Sequence, residues 1–431
     1  MSCVSDKRVN ISYSNPSIVF DSSNCNECGI CKNICKNIVG VYGFSNNANT
    51  CINCGSCTIM CPKKCLSEKD ETDKLREYLH SGKTIVIQIA PAVRVALGEE
   101  FGYKVGSNIE GKLVAALREI GAHFVFDTTF GADLTVMEEA YELVNRIKDG
   151  IRGPFLTSCC PSWVKFVEMF FPEFIPNLST CRSPILMEGA MIKSYFSKIN
   201  NLDKNNIISI AITPCTSKKM EILKFDDIDL VITTRELAKY LKEENIDIKL
   251  LKDSTFNALM SKGSGAGVIF GSSGGVTEAV IREVYHLLAK RRPSGRLLNF
   301  KDVRGLNNVK ETSIKINGVN FKIAVINGTG DARLVLNKVK NGEVYYDFIE
   351  VMACEGGCIA GGGQPRKFMV NPIIKTKRAK GLYKSDKRMK TRNSCDNPDI
   401  IDIYNNFLGE PGSDVAHKYL HTTNDLDYKN K

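Results

Sequence analysis

Cysteines at fixed spacings carry most of the chemical information in this chain. Two runs, Cys25-x2-Cys28-x2-Cys31-x3-Cys35 and Cys51-x2-Cys54-x2-Cys57-x3-Cys61-Pro62, repeat one pattern. Three closely spaced thiolates can grip three corners of a four-iron cube, while the fourth Cys is carried into a short helix and points at the other cube. The crossed arrangement assigns Cys25, Cys28, Cys31 and Cys61 to one cluster, and Cys51, Cys54, Cys57 and Cys35 to the other. Zinc would use pairs of Cys-x-x-Cys set farther apart. Such clusters exchange electrons but offer no open iron, so the chemistry must lie downstream.

Three later stretches could supply it. The hydrophobic run from Tyr346 to Met352 reads as a buried strand that delivers Cys354 and Cys358 where the pattern breaks into glycine. Gly356, Gly357 and the glycines at 361 to 363 let backbone approach a bulky object closely. In Thr157 to Trp163 a strand ends in the adjacent thiols Cys159 and Cys160, and Pro161 opens a helix whose N-terminus favours thiolate. In Thr213 to Lys219 another strand end places Cys215 beside Lys218. Together these offer one thiolate from Cys160 or Cys159, one from Cys215 and two from Cys354 and Cys358, the four ligands of a cubic iron-sulfur cluster.

The elements that must position these residues follow from periodicity. A linking helix is expected over Glu71 to Ser81, and Gly82 opens a new domain. Strands are expected at Thr84–Ala90, Phe124–Asp127, Phe155–Thr157, Ile207–Thr213, Asp229–Thr233, Gly267–Phe270, Phe321–Asn327 and Phe348–Met352, with helices at Gly111–Ile120 and Asp133–Lys148. Asn317-Gly318 marks a hairpin turn. The pattern is an α/β protein with mainly parallel sheets and ligands at the carboxyl ends of strands. Residues 1 to 20 are polar and aperiodic, a leader or a short edge strand.

Composition sets limits. The chain has 431 residues, 43% hydrophobic and 25% charged, and 17 cysteines. An odd cysteine count in tight spacings argues against a disulfide framework and for metal ligation in a reducing compartment. Met1 to Phe20 shows no apolar export signal, and no run reaches membrane-spanning length, so a cytoplasmic protein off the membrane is expected. The net charge of +10 includes a dense patch from Lys375 to Arg392. Without interleaved aromatics or a binding module it reads as solvated surface, not a nucleic-acid site, although it could steer an acidic protein partner. Cys3, Cys65, Cys181 and Cys395 stand outside the motifs and are expected to be unliganded.

Three ordered signatures, Thr157-Ser-Cys-Cys-Pro-Ser-Trp163, Pro214-Cys-x-x-Lys-x-x-Glu221 and Glu350-x-Met-Ala-Cys-x-x-Gly-Cys-x-x-Gly-Gly-Gly-x-Pro365, follow the double run of a bacterial two-cluster ferredoxin. In this order they resemble the iron-only (FeFe) hydrogenase family. The likeness extends from Cys25 to the Phe407-Leu408-Gly409 and Ala416-His417 stretches. It implies a small α+β ferredoxin-like domain and an α/β catalytic domain of two lobes with mixed, mainly parallel sheets and the active cluster between the lobes. The implied division is a leader (1–20), the ferredoxin-like domain (21–70), a linker helix (71–82), the catalytic domain (83–372) and a basic segment wrapping it (373–431).

By the same resemblance, Cys160, Cys215, Cys354 and Cys358 would hold the four-iron part of the H-cluster. Cys358 would bridge to a two-iron subsite bearing carbon monoxide, cyanide and a dithiolate with a basic amine. Lys218 would bond a cyanide ligand, and Pro91, Ser217 and Met352 would line the subsite. Cys159 would pass protons between the amine and a relay of Glu139, Ser179 and Glu142, the two glutamates sharing one helix face at i and i+3. The implied activity is reversible reduction of protons to dihydrogen with electrons from ferredoxin or a similar soluble carrier, in a monomer loaded by hydrogenase maturation proteins. A hydrogen sensor and a non-catalytic iron-sulfur assembly relative are the alternatives. Assembly relatives lose the lysine, the double cysteine or the acidic relay, and all are kept here. Lys36, Thr213 and Ile185 depart from the family's usual proline, methionine and glutamine.

Overall fold

The structure, a computed structural model, describes residues 7–43, 50–151, 153–260, 262–366 and 371–422. Its described strands are β1 (Ile18–Phe20), β2 (Leu66–Glu68), β3 (Thr84–Ile89), β4 (Phe124–Asp127), β5 (Phe155–Leu156), β6 (Ile207–Thr213), β7 (Leu230–Thr233), β8 (Val309–Ile316), β9 (Val319–Asn327) and β10 (Phe348–Met352). Two four-stranded sheets form the two lobes. One has the order β4-β3-β6-β7 and is wholly parallel; the other has the order β5-β10-β9-β8, parallel except for β8. Strands β3 and β6 are nearly continuous runs of Ile and Val because both their faces are covered. Edge strand β8 alternates exposed and buried residues instead. Its two-residue turn to β9 has Asn317 at φ 46° and Gly318 at φ 88°, the left-handed pair that a tight twisted hairpin requires.

The helix Thr129–Lys148 joins the lobes. Phe130 and Leu134 pack into the core beside Phe126 and Met187, whereas Ala132, Val136, Ala140 and Leu143 pack into the core of the other sheet. Burial on two sides explains why its sequence is apolar well beyond a single stripe. Strands β3, β6, β5 and β10 all end at the gap between the lobes, where the turns bearing Pro91, Cys159, Cys160, Cys215 and Met352 line one cavity.

The N-terminal cysteine segment is docked onto both lobes. Thr216 Oγ1 donates to the Asn53 carbonyl at 2.8 Å, Arg235 Nη2 to Thr58 Oγ1 at 3.1 Å, and Thr329 Oγ1 to the Val39 carbonyl at 2.6 Å. Arg235 also pairs with Glu68 of β2.

Two expectations are corrected and one is narrowed. Gly267–Phe270 belongs to no strand: Gly265–Ile269 is a helix, capped by Ser264 and pressed so tightly on the helix Thr129–Lys148 that a Cβ at Gly267 would lie 2.4 Å from the Thr129 carbonyl oxygen. Of the two readings of residues 1 to 20, leader or short edge strand, the last three residues take the second, since β1 pairs antiparallel with β2 across the cysteine segment. The basic patch is not simply solvated. In the helix Pro372–Arg388, Arg378 is buried against Glu99, with Nε–Oε1 at 2.7 Å, and Asp386 is buried between Arg282 and Arg392. Paired burial of this kind tolerates loss of one partner poorly. Cys3 lies outside the described residues.

Candidate metal centre

Every described cysteine is a free thiol. The N-terminal thiols form two groups in the crossed arrangement that the spacing predicts. Cys61 lies with Cys25, Cys28 and Cys31, and Cys35 lies with Cys51, Cys54 and Cys57. The geometric cause is local: Gly29 and Gly55, both left-handed, start the helices Ile30–Asn37 and Ser56–Met60, which carry the fourth Cys of each run across. The first group reaches the surface at Cys28. In the second, burial pushes the Cys35 and Cys57 thiols well above their usual range and Cys54 up to about 11. Cys65 packs beside Cys61 and Cys25.

The third group sits between the lobes. Cys160, Cys215, Cys354 and Cys358 face one another closely enough that a thiolate at Cys215 would raise the other three. Burial is the larger cause, and it takes Cys160 to about 11 and Cys358 to about 12. Four half-buried thiols that form no disulfide are poor company as anions and good company around a soft multivalent cation. The donor set therefore fits an iron-sulfur cluster. Cys54 of the N-terminal group neighbours Cys215 and Cys354. Gly362 permits that approach, since a Cβ there would lie 2.5 Å from the Cys54 carbonyl oxygen and 2.7 Å from the Gly55 Cα.

Beside these thiols lies a cavity of about 80 Å³, lined by Pro91, Cys159, Ile185, Thr213, Phe270 and Met352 among others, with Lys218 and Cys358 at its wall. Its lining is nearly all apolar, so the Lys218 ammonium is the conspicuous charge. Lys218 Nζ donates to Glu221 Oε2 at 2.8 Å and to the Cys159 carbonyl at 3.2 Å, and Ser183 Oγ donates to the same Glu221 oxygen at 2.9 Å. Burial opposes its charge, but Glu221 and the Cys215 thiolate raise its pKa on balance. Ser217 Oγ lies 2.9 Å from Cys215 Sγ. Two of the three departing residues, Ile185 and Thr213, line this cavity.

A file of proton-bearing groups leads away from it. Cys159 is buried, and burial together with Glu139 keeps its thiol protonated. Glu139 is fully buried, and neither carboxylate oxygen receives a hydrogen bond of ordinary geometry, although the Ser158 amide faces it. Burial and the Glu142 charge push Glu139 up to about 8. Ser179 Oγ donates to Glu142 Oε2 at 2.8 Å. Glu142 is half-buried and also accepts from the Thr180 amide at 3.2 Å. Arg146, one turn further along, lies over the Phe155 ring at 5.7 Å.

Three residues near this arrangement were not singled out by spacing. Glu350, inside an apolar strand, accepts from the Gly274 and Thr277 amides at 2.7 Å each and so fixes the start of the helix Gly275–Ala289. Gln88, the lone amide of β3, donates to the Ile185 carbonyl at 3.0 Å and accepts from Thr128, which sets the cavity wall. Both announce themselves as polar residues in apolar runs. His421 lies 2.7 Å from Thr180 Oγ1 through Nδ1 and 3.0 Å from Glu138 Oε2 through Nε2, a connection over more than 200 positions that no local pattern signals. Trp163 holds the Cys159–Cys160 turn by donating from Nε1 to the Thr157 carbonyl at 2.9 Å.

The comparisons with known proteins agree with this arrangement. Residues 83–362 match the family described as iron only hydrogenase large subunit, C-terminal domain, and residues 372–424 match iron hydrogenase small subunit. Iron hydrogenase 1 of Clostridium pasteurianum is 38% identical over 96% of this chain and 77% of its own length. An NADP-reducing hydrogenase subunit of Solidesulfovibrio fructosivorans is 40% identical over 94% and 74% respectively. A cytosolic iron-sulfur assembly component of Bos taurus shares 28% over 86% of this chain and 82% of its own. Among solved structures, a variant of the [FeFe]-hydrogenase of Chlamydomonas reinhardtii superposes with a TM-score of 0.72 at 34% identity, covering 82% of this chain and 98% of that one. With the large-subunit match spanning every residue that lines the cavity beside the four thiols, the chain belongs to the iron-only hydrogenase family.

Proposed function

We propose that this chain is a hydrogenase that interconverts protons and dihydrogen, with a soluble ferredoxin as its electron partner. One observation carries the reading: Lys218 and Cys159, the latter backed by Glu139, line the same cavity as Cys160, Cys215 and Cys358, with Cys354 beside those thiols. These four thiolates would hold the cubic part of an H-cluster, and Cys358 would bridge to its two-iron subsite. When bound, that group stores electrons and supplies the iron at which dihydrogen is made or split.

The protein's own groups do the rest. Lys218, anchored by Glu221, offers a compact cation to an anionic diatomic ligand of the subsite. Ser217, Pro91 and Met352 shape the apolar wall and exclude water. Cys159 hands a proton between the cavity and Glu139, whose raised pKa keeps it protonated near neutral pH. From there Ser179 and Glu142 carry protons to the half-buried face. Electrons arrive by the N-terminal thiol groups, each of which would hold one four-iron cluster. The outer group, with Cys28 exposed and Lys63 at its rim, faces the carrier. A basic rim favours an acidic ferredoxin. The protein is read as a cytoplasmic monomer loaded by maturation proteins, divided as the sequence implies except that β1 joins the ferredoxin-like domain.

Protein produced with the maturation system and given reduced ferredoxin should evolve dihydrogen steadily. A fully loaded protein that evolves none in excess carrier overturns the assignment.

A further inference from the structure

Away from the central cavity, the last turns of the helix Gly275–Ala289 meet the short helix Ser394–Asp396. Glu283 and His286 stand at i and i+3 on the first, a spacing that places both side chains on one face, and Cys395 stands on the second. Their ligand atoms, a carboxylate oxygen, an imidazole nitrogen and a thiol sulfur, all lie within 4.8 Å of one another. Glu283 is 1% exposed, yet neither of its oxygens receives a hydrogen bond of ordinary geometry; the Cys395 thiol and amide are the nearest donors facing it. A buried carboxylate left in this condition is costly unless a proton or a cation satisfies it.

The other charged groups facing this carboxylate are Arg292 and Asp396. Arg292 directs Nε to Asp396 at 2.5 Å and Nη1 to the His286 ring nitrogens, at 2.7 and 2.8 Å, with its side chain 46% exposed. It therefore closes the cluster on the solvent side without bonding Glu283. A second trio, Glu142, Cys181 and His421, also brings its ligand atoms within 4.8 Å, but there the carboxylate and both ring nitrogens already have partners.

We propose that Glu283, His286 and Cys395 form a zinc site that pins the C-terminal segment to the catalytic domain. One oxygen, one nitrogen and one sulfur donor suit this borderline ion, whose bonds of about 2.0–2.3 Å need only a modest closing of the present spread. The fourth position falls to water or to the adjacent Asp396. Binding releases the Cys395 thiol proton and moves Arg292 off His286. The ion would join the two parts of the chain that match separate large-subunit and small-subunit families. It also reverses the expectation that Cys395 is unliganded.

The test uses cluster-loaded enzyme dialysed against micromolar zinc chloride under anaerobic conditions, with zinc content read by elemental analysis. Wild type should retain one zinc equivalent more than Cys395→Ala or His286→Gln, and Arg292→Gln should fill the site at lower free zinc, all with unchanged hydrogen evolution. In wild type alone, zinc should slow alkylation of Cys395, followed by peptide mass spectrometry, so the result does not depend on the variants folding. Equal zinc content in wild type and both variants, or alkylation of Cys395 indifferent to zinc, overturns the proposal.

Discussion

The central cavity is approached from two sides built of different materials. On the proposed electron side, cysteines sit on glycine-started turns and very short helices, and backbone-to-backbone contact brings Cys54 to Cys215 and Cys354. On the proposed proton side, a thiol, two carboxylates and a hydroxyl are spaced along the long helix Thr129–Lys148 and the strand ends beside it. The difference follows from what moves. Electrons tolerate gaps between redox centres, so that side needs close docking of whole segments and few exact hydrogen bonds. Protons move only between groups within bonding reach, so that side depends on individual rotamers and on a pKa near the working pH.

The two sides can be broken separately. The largest effect is expected where they meet: Cys358→Ser should abolish hydrogen evolution with every electron donor, while circular dichroism shows the fold intact. Next come the proton-side variants. Cys159→Ala or Glu139→Gln should lower turnover by about 10²–10⁴-fold, the range for loss of a positioned acid or base, in a gas-evolution assay, with cluster absorption unchanged and no dependence on the donor used.

The pH dependence sharpens the same point. Glu139 has its pKa raised from 4.5 to about 8, chiefly by burial. Hydrogen evolution that draws on its proton should fall as pH rises through about 8, and Glu139→Gln should flatten that limb. Because the folded value lies above the unfolded one, the group's contribution to stability is greatest below pH 4.5 and is lost as pH climbs towards 8. Denaturation of Glu139→Gln at pH 5 and pH 8 should show it gaining on wild type at the higher pH.

Smaller effects are expected on the electron side. Gly362→Ala forces a Cβ against the Cys54 carbonyl and should slow turnover with ferredoxin more than turnover with a small viologen dye. The smallest is the response to salt. As the screening length shrinks from about 10 Å at 0.1 M to about 3 Å at 1 M, the ferredoxin-dependent rate should drop a few-fold and the dye-dependent rate should not.

Much of this was legible in the residues. Thiol spacing announces the two N-terminal groups, and the breaks from apolar strand to glycine or proline mark where Cys160 or Cys159, Cys215, Cys354 and Cys358 come together, the choice of Cys160 resting on the resemblance. Those signals are local, because a strand end and the turn after it are adjacent in sequence. What escaped was set by distant partners. Gly267–Phe270 reads as a strand by its apolar content, but Gly265–Ile269 is a helix, and Gly267 seats it on Thr129 and Asp133. Arg378 reads as solvated until Glu99, 279 positions away, arrives beside it. The unbonded carboxylate of Glu139 is likewise a property of packing: its spacing from Glu142 was visible, but its isolation from hydrogen-bond donors was not.

The central claim is that the cavity between Cys358, Lys218 and Cys159 holds an iron subsite that works on hydrogen. Infrared spectroscopy of protein matured in the presence of the maturation proteins tests it most directly. Bands of iron-bound carbon monoxide and cyanide that shift on exposure to dihydrogen, and that vanish in Cys358→Ser, are the predicted result. A protein with its iron-sulfur clusters fully loaded that shows no such bands would contradict the account and favour an assembly role.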